Sequence, residues 1–86
     1  MGKEKKVLLY TVAWCPHCVA IISFLNSNGV KYKNFDVEAK DSWWKEALSR
    51  TGGEDIVPVI DVDGQVIWGV FNQAFEDNLK KLLGLK

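Results

Sequence analysis

The pattern of apolar and polar positions divides the chain into alternating strands and helices. Residues 6–12 form a mostly apolar run rich in β-forming side chains, which predicts a strand buried on both faces. Cys18, Ile22 and Leu25 then recur at helical spacing, with Val19 beside them. This spacing predicts a helix directly after the first strand.

The middle of the chain predicts a second strand and a second helix. Asn28-Gly29 is a typical helix stop, and the apolar positions of residues 30–37 then alternate with one phase slip. We expect a kinked or bulged strand there. Residues 43–50 are amphipathic at helical spacing, with Asp41-Ser42 as a candidate N-cap and Gly52-Gly53 as the stop.

The last third of the chain predicts a β-hairpin followed by a helix. Residues 57–62 and 65–68 are apolar runs separated by Asp63-Gly64, a strong signal for a tight hairpin turn. Trp68, which ends the hairpin, is expected to pack in the core. Asn72 can cap a helix that ends before Gly84 and whose apolar face comprises Phe75, Leu79, Leu82 and Leu83.

The predicted order is therefore β-α-β-α-β-β-α, an α/β fold with three helices on a mixed four-stranded sheet. The first two strands should lie parallel through a right-handed crossover, and the last two should form an antiparallel pair. A chain of 86 residues has room for one core, so we expect a single domain over residues 1–86. Its 48% hydrophobic content is typical of a globular protein.

Charge and hydropathy exclude several classes of partner. The 11 basic and 11 acidic side chains cancel, so no basic stripe for nucleic acid is expected. No stretch approaches the roughly 20 apolar residues of a membrane span. The amino-terminal residues lack the apolar run of a secretion signal, and a cytoplasmic location is expected.

Two cysteines, Cys15 and Cys18, carry the candidate chemistry. A disulfide across two intervening residues closes so short a loop that it stabilises little, and it is better suited to being made and broken. Cys15 falls at the predicted helix start, where free N–H groups and the helix dipole favour a thiolate. Cys18 lies about one turn further along. We therefore predict Cys15 as the nucleophile and Cys18 as the thiol that resolves a mixed disulfide.

The residues around the two cysteines are expected to tune and present them. Pro16 stiffens the turn, and His17, the only histidine, can place positive charge near the thiolate, so both should tune its reactivity. Trp14 is expected to be partly exposed on the contact surface. Zinc usually needs four ligands, and two cysteines with one histidine predict no metal site within the chain. A metal cluster shared between two chains through Cys15 stays an alternative.

The order and spacing of several motifs resemble those of glutaredoxins across nearly the whole chain. The matching residues are Tyr10-Thr11, Cys15-Pro16-His17-Cys18, Asp36-Val37, Val57-Pro58 and Gly69. The resemblance implies the thioredoxin fold. It also implies that Pro58 is a cis proline facing the cysteines, that the backbone of Val57 pairs with an incoming peptide or glutathione, and that Gly69, Val70 and Phe71 flank the site.

Other positions depart from the glutathione-using members of this family. Those proteins typically carry a lysine or arginine where this chain has Val12, and Thr-Val-Pro where it has Ile56 before Val57-Pro58. Residues 69–72 lack the two acids that usually follow the hairpin, and Trp14 resembles thioredoxins instead. The pattern is more similar to glutaredoxin-like redoxins that thioredoxin reductase reduces.

These observations predict a dithiol–disulfide oxidoreductase, an electron carrier that exchanges disulfides with proteins. No bound cofactor is required, and electrons would come from thioredoxin reductase with NADPH or from glutathione. The alternatives are a glutathione-dependent glutaredoxin, an iron–sulfur cluster scaffold, and a binding module without activity. A monomer is the simplest expected state.

Overall fold

The computed structural model describes residues 5–85, so the ends of the predicted domain, residues 1–4 and 86, lie outside the described residues. The elements follow one another in the predicted order β-α-β-α-β-β-α. Their bounds are β1 Val7–Thr11, α1 Pro16–Ser27, β2 Lys33–Asp36, α2 Asp41–Thr51, β3 Val59–Val62, β4 Gln65–Trp68 and α3 Gln73–Leu83.

The strands form the predicted mixed sheet, in the order β2-β1-β3-β4. β1 and β2 are parallel, with Tyr10 opposite Phe35, and β1 and β3 are antiparallel, with Leu9 opposite Ile60. β3 and β4 complete an antiparallel hairpin. The chemistry of the turn explains the hairpin, since Asp63 and Gly64 both have positive φ angles, 51° and 90°, as a type I′ turn requires.

Two apolar clusters lie on opposite faces of the sheet, because alternate residues of a strand point to opposite sides. The first cluster joins α1 and α3 to the sheet through Val7, Leu9, Ile21, Leu25, Ile60, Val62, Phe75 and Leu79. The second, here called the thiol cluster, contains both cysteines and the α2 residue Ala47, and comprises Tyr10, Val12, Cys15, Cys18, Val37, Ala47 and Val59.

Two of the predicted helix ends are confirmed in their atomic detail. The side chain of Asn72 caps α3, because its Oδ1 accepts a hydrogen bond of 3.0 Å from the N–H of Phe75. At the end of α1, Gly29 has a φ of 66°, and Val30 donates a 3.0 Å hydrogen bond to the carbonyl of Leu25. This pattern is a Schellman motif, which satisfies carbonyls at the helix end.

The same motif explains why the second strand is shorter than predicted. We expected a strand over residues 30–37, but β2 covers only Lys33–Asp36. The N–H of Val30 is already used by the end of α1, and Tyr32 donates its hydroxyl to Asn26 at 3.0 Å. Both side chains pack against the first cluster from outside the strand.

One smaller prediction about the helices was wrong. Lys40, not Asp41 or Ser42, is the N-cap of α2, and it makes no side-chain cap bond; Asp41 instead lies in the first turn, where an acid interacts favourably with the helix dipole. On α1, Ile21 is fully buried while Val19 is 57% exposed. No helix within residues 5–85 is long and apolar enough to cross a membrane.

Candidate functional site

The two cysteines lie at the amino-terminal end of α1, as predicted. Cys15 is the N-cap, with extended backbone angles, and Pro16 occupies the first turn. The N–H of Cys15 donates to the carbonyl of Val12 at 3.3 Å, and its carbonyl accepts from Val19 at 3.1 Å. These bonds tie Cys15 both to the end of β1 and to the first turn of α1, so its position is fixed from both sides.

Both thiols are free and lie among apolar side chains. Cys15 is 7% exposed and Cys18 is 1% exposed, and both belong to the thiol cluster. The half-buried Val57 packs against the same cluster. The fold therefore brings Val57 to the cluster that holds Cys15 and Cys18, about 40 positions earlier in the sequence, and Cys15 is the more exposed of the two cysteines.

Burial raises the pKa of the Cys18 thiol from 9.0 to about 12. Desolvation is the largest cause, since a buried thiolate loses its hydration. The backbone of Val12 hydrogen-bonds the sulfur and partly opposes the shift, whereas a hydrogen bond with Cys15 raises the pKa further. Cys18 therefore keeps its proton at neutral pH.

We expect the reduced protein to lose stability as the pH rises from about 9 toward 12. The pKa of Cys18 is raised to about 12 in the folded chain, so the folded state retains a proton that the unfolded chain releases. Above pH 9 the free energy of unfolding should fall by up to about 1.4 kcal/mol per pH unit, the limit for one proton. Urea unfolding of the reduced protein across this range measures the slope.

A Cys18→Ala variant separates this effect from other alkaline titrations. Burial and a hydrogen bond with Glu46 also raise the pKa of Tyr10, from 10.0 to about 12, so Tyr10 adds its own loss of stability only above about pH 10. The variant should keep the tyrosine phase and lose the phase that begins near pH 9. Equal slopes for the two proteins between pH 9 and pH 10 would contradict the assignment.

The Val57-Pro58 peptide bond is cis, as the resemblance implied, and Pro58 is fully buried. The carbonyl of Pro58 accepts a 3.3 Å hydrogen bond from Gly69, which holds the segment after β4 beside this dipeptide. Within residues 5–85, neither the N–H nor the carbonyl of Val57 makes a hydrogen bond. The backbone of Val57 is thus available to a further strand.

A groove of about 390 Å³ opens beside the thiols. Its lining comes from four segments: the end of β1, the residues after β2, the helix α2, and the loop before β3. The lining residues are Val12, Trp14, Val37, Glu38, Trp44, Asp55, Ile56 and Val57. Four of them, Val12, Val37, Trp44 and Val57, also belong to the thiol cluster or pack against it.

Trp14 stands at the rim of this groove with 71% of its surface exposed. Its indole Nε1 donates a 3.0 Å hydrogen bond to Oε1 of Glu38, and the backbone N–H of Glu38 donates to Oδ1 of Asp36 at 2.9 Å. The predicted exposure of Trp14 is confirmed, and the indole is held over the groove by the segment that follows β2.

The other predicted site residues differ in their location and in their exposure. Pro16 is exposed and His17 is half-buried on the first turn of α1. Gly69 lies beside Pro58, and Val70 is 54% exposed. Phe71, in contrast, packs on Phe24 and Phe75, with ring centroids 5.8 Å and 5.5 Å away. It therefore belongs to the edge of the first cluster, not to the thiol cluster.

The sequence interpretation missed the two acids of the groove, Glu38 and Asp55. A signal was present: β1 and β2 are parallel, so the residues that follow them emerge at the same sheet edge. Glu38 follows β2 by two residues, and Trp14 follows β1 by three. No group of three histidine, cysteine or acidic side chains within residues 5–85 is placed to hold a metal ion.

Comparisons with known proteins agree with this geometry. The glutaredoxin family model matches residues 7–67. The chain is 32% identical over 81 residues to glutaredoxin 1 of Rickettsia typhi, covering 90% of this chain and 78% of that protein. Among solved structures, the thioredoxin-like protein BC3987 superposes with a TM-score of 0.78 at 31% identity, over 91% of this chain and all of that one (100%). A glutaredoxin from Archaeoglobus fulgidus gives 0.78 at 25% identity, over 91% and 85% of the two chains.

Proposed function

Because this chain belongs to the glutaredoxin family of thiol–disulfide oxidoreductases, we propose that it is an electron carrier that reduces protein disulfides through Cys15 and Cys18. The family needs no prosthetic group for this reaction, because the two thiols supply the electrons. The observation that carries the proposal is the placement of the two free thiols: Cys15 is the N-cap of α1, and Cys18 lies one turn further along, buried at 1% exposure, where burial raises its pKa to about 12.

This placement supports the following roles in the proposed reaction. The thiolate of Cys15 attacks one sulfur of a substrate disulfide, forming a mixed disulfide and releasing the other sulfur as a thiolate. Cys18 then gives up its proton, and the released substrate thiolate can take it. The sulfur of Cys18 attacks Cys15, forming the Cys15–Cys18 disulfide and freeing the second substrate thiol. Two electrons pass from the chain to the substrate, and nothing is required from a second copy of the chain, so the proposed active form is a monomer.

Val57 is the proposed docking point for the substrate backbone. Its N–H and carbonyl have no hydrogen-bond partner within residues 5–85, and its side chain packs against the thiol cluster. A substrate segment in an extended conformation can add to this edge as a further strand. The mixed disulfide with Cys15 would then form within reach of Cys18. Trp14 lines the groove, Gly69 hydrogen-bonds Pro58, and Val70 is exposed next to it; all three are proposed to contact the substrate. Pro16 and His17 are proposed to tune the thiols.

Thioredoxin reductase with NADPH is the proposed source of electrons, in preference to glutathione. Glutathione carries two carboxylates and one ammonium group, and among residues 5–85 no lysine, arginine or histidine lines the groove beside Cys15. Val12 stands where a cation would be expected in a glutathione-using relative. The exposed carboxylates of glutathione would therefore gain no ion pair here, and each such pair is worth up to about 1 kcal/mol.

The test compares two reductants of the oxidised protein. Reduction is followed by Trp14 fluorescence, with thioredoxin reductase and NADPH in one arm and glutathione in the other. We expect the reductase arm to be faster, because glutathione gains no ion pair with the described residues that line the groove. A rate with glutathione equal to or above the reductase rate would contradict the proposed electron source and would indicate a glutathione-dependent enzyme.

A further inference from the structure

The groove beside Cys15 combines an apolar floor with two acidic side chains. Its charged lining residues are Glu38 and Asp55, and the other lining side chains are aliphatic or tryptophan. Both acidic side chains are exposed, so a ligand in the groove can reach them from solvent. The charge of the groove is therefore negative, although the chain as a whole is balanced at 11 basic and 11 acidic residues.

The two acidic side chains differ in how firmly hydrogen bonds hold them. Glu38 is held by the indole of Trp14 at 3.0 Å and by the bond from its own N–H to Asp36 at 2.9 Å. Asp55 makes no hydrogen bond or ion pair with any other residue of the described range 5–85. One carboxylate is thus pre-oriented at the rim, and the other is free to turn toward a ligand.

The groove is continuous with the proposed reaction site. Val12 and Trp14, which line it, lie within three residues before Cys15, and Val57 lines it from the loop before β3. A substrate segment paired with the backbone of Val57 would pass over this groove. Side chains that flank the substrate cysteine would therefore enter the groove or meet its rim.

Charge complementarity selects among the possible occupants. An anionic segment would meet two carboxylates without a cation among the lining residues, whereas a cationic side chain would find both as partners. The stem of a lysine or arginine is apolar and suits a floor of valine, isoleucine and tryptophan. A volume of about 390 Å³ is in the lower range of small-ligand pockets and fits a few side chains.

We infer that this acidic groove selects protein disulfides whose flanking residues include a lysine or arginine. The inference rests on the proposed function, because it concerns the substrate of the same thiols. The expected partner segment is extended, is apolar next to its cysteine, and carries a basic side chain within a residue or two of that cysteine. Acidic segments and glutathione are the substrates that the groove disfavours.

The experiment uses three peptides that each contain one internal disulfide and differ at one position beside a cysteine. That position is lysine, glutamine or glutamate. With the reduced full-length protein at low salt, we expect kcat/KM to fall from the lysine to the glutamine to the glutamate peptide, by about threefold at each step. At about 1 M salt, where the screening length is near 3 Å, the differences should largely vanish.

Charge-neutralising variants test whether Glu38 and Asp55 cause the preference for the lysine peptide. The Glu38→Gln/Asp55→Asn double variant should reduce all three peptides at nearly equal rates. Asp77→Asn removes the same kind of charge from an exposed position on α3, away from the groove lining, and should keep the full preference. Both acids of the double variant are exposed, so their neutral isosteres are expected to leave the fold intact.

The outcomes separate this inference from the proposed function. Turnover of all three peptides at one rate at low salt would overturn the basic selectivity and leave the redox function standing. A preference that persists in the double variant would also overturn it. If no peptide is reduced faster than by a Cys15→Ser variant, the proposed function fails, and the inference fails with it.

Discussion

Replacing Cys15 with serine is expected to reduce the rate of protein-disulfide reduction by at least about a thousandfold, in line with the loss of a covalent nucleophile in other enzymes. A hydroxyl at the N-cap of α1 cannot form the mixed disulfide, and Cys18 cannot replace it. The pKa of Cys18 is raised to about 12, and the residue is 1% exposed. Oxidation of NADPH coupled to a protein disulfide measures the rate.

Cys18→Ser is the matched control for this substitution, because it makes the same change three residues away. It should form the mixed disulfide at a rate near that of the unaltered protein and then stop before releasing product. A Cys15→Ser variant that retained a substantial part of the activity, or a Cys18→Ser variant that alone lost reaction with the substrate, would reverse the proposed roles.

Replacing Val59 with alanine is expected to lower the free energy of unfolding by roughly 2–3 kcal/mol. Val59 is fully buried in β3, between β1 and β4, and packs in the thiol cluster. The substitution removes two methyl groups, at about 0.8 kcal/mol each for lost burial, and leaves a cavity. Alanine is also a poorer strand former than valine. Denaturant unfolding with an unchanged m-value measures the effect.

Val19→Ala is the control for size and chemistry, since it removes the same atoms from an exposed site. Val19 is 57% exposed on α1, where alanine is the better helix former. We expect a change within about 0.5 kcal/mol, toward higher stability. If Val59→Ala and Val19→Ala lowered the free energy of unfolding by the same amount, the packing assigned to the thiol cluster would be wrong.

The elements that the sequence predicted well are those with local chemical signals. Asp63-Gly64 specifies a turn whose two positive φ angles few other pairs tolerate, and Asn72 specifies a helix start through one side-chain hydrogen bond. Because these signals act within three or four residues, they can be recognised without knowledge of the rest of the chain. The order of elements and the mixed sheet followed from them.

The errors arose where packing between distant segments decides the outcome. On α1, both Ile21 and Ile22 fit a helical stripe with Cys18 and Leu25, and only the position of the sheet makes Ile21 the buried one. Trp68 was expected in the core but is 38% exposed, because β4 is an edge strand that presents it outward. Local spacing carries no information about either choice.

The candidate site likewise combines features that the local sequence specifies with features that only the fold brings together. The spacing of Cys15 and Cys18 and the position of Pro16 specify the reactive helix start, and these are local. The groove depends on how the end of β1, the segment after β2, α2 and the loop before β3 meet in space. Glu38 and Asp55 lie 17 positions apart in the sequence, so their common surface could be recognised only from the fold.

The most direct test of disulfide exchange is the mass of the complex that the Cys18→Ser variant forms with an oxidised protein substrate. The account predicts a covalent adduct of one chain and one substrate molecule that is released by a reductant such as dithiothreitol. Peptide mapping should place the disulfide at Cys15. An unmodified Cys15 after reaction with a substrate that the unaltered protein reduces would contradict the exchange mechanism.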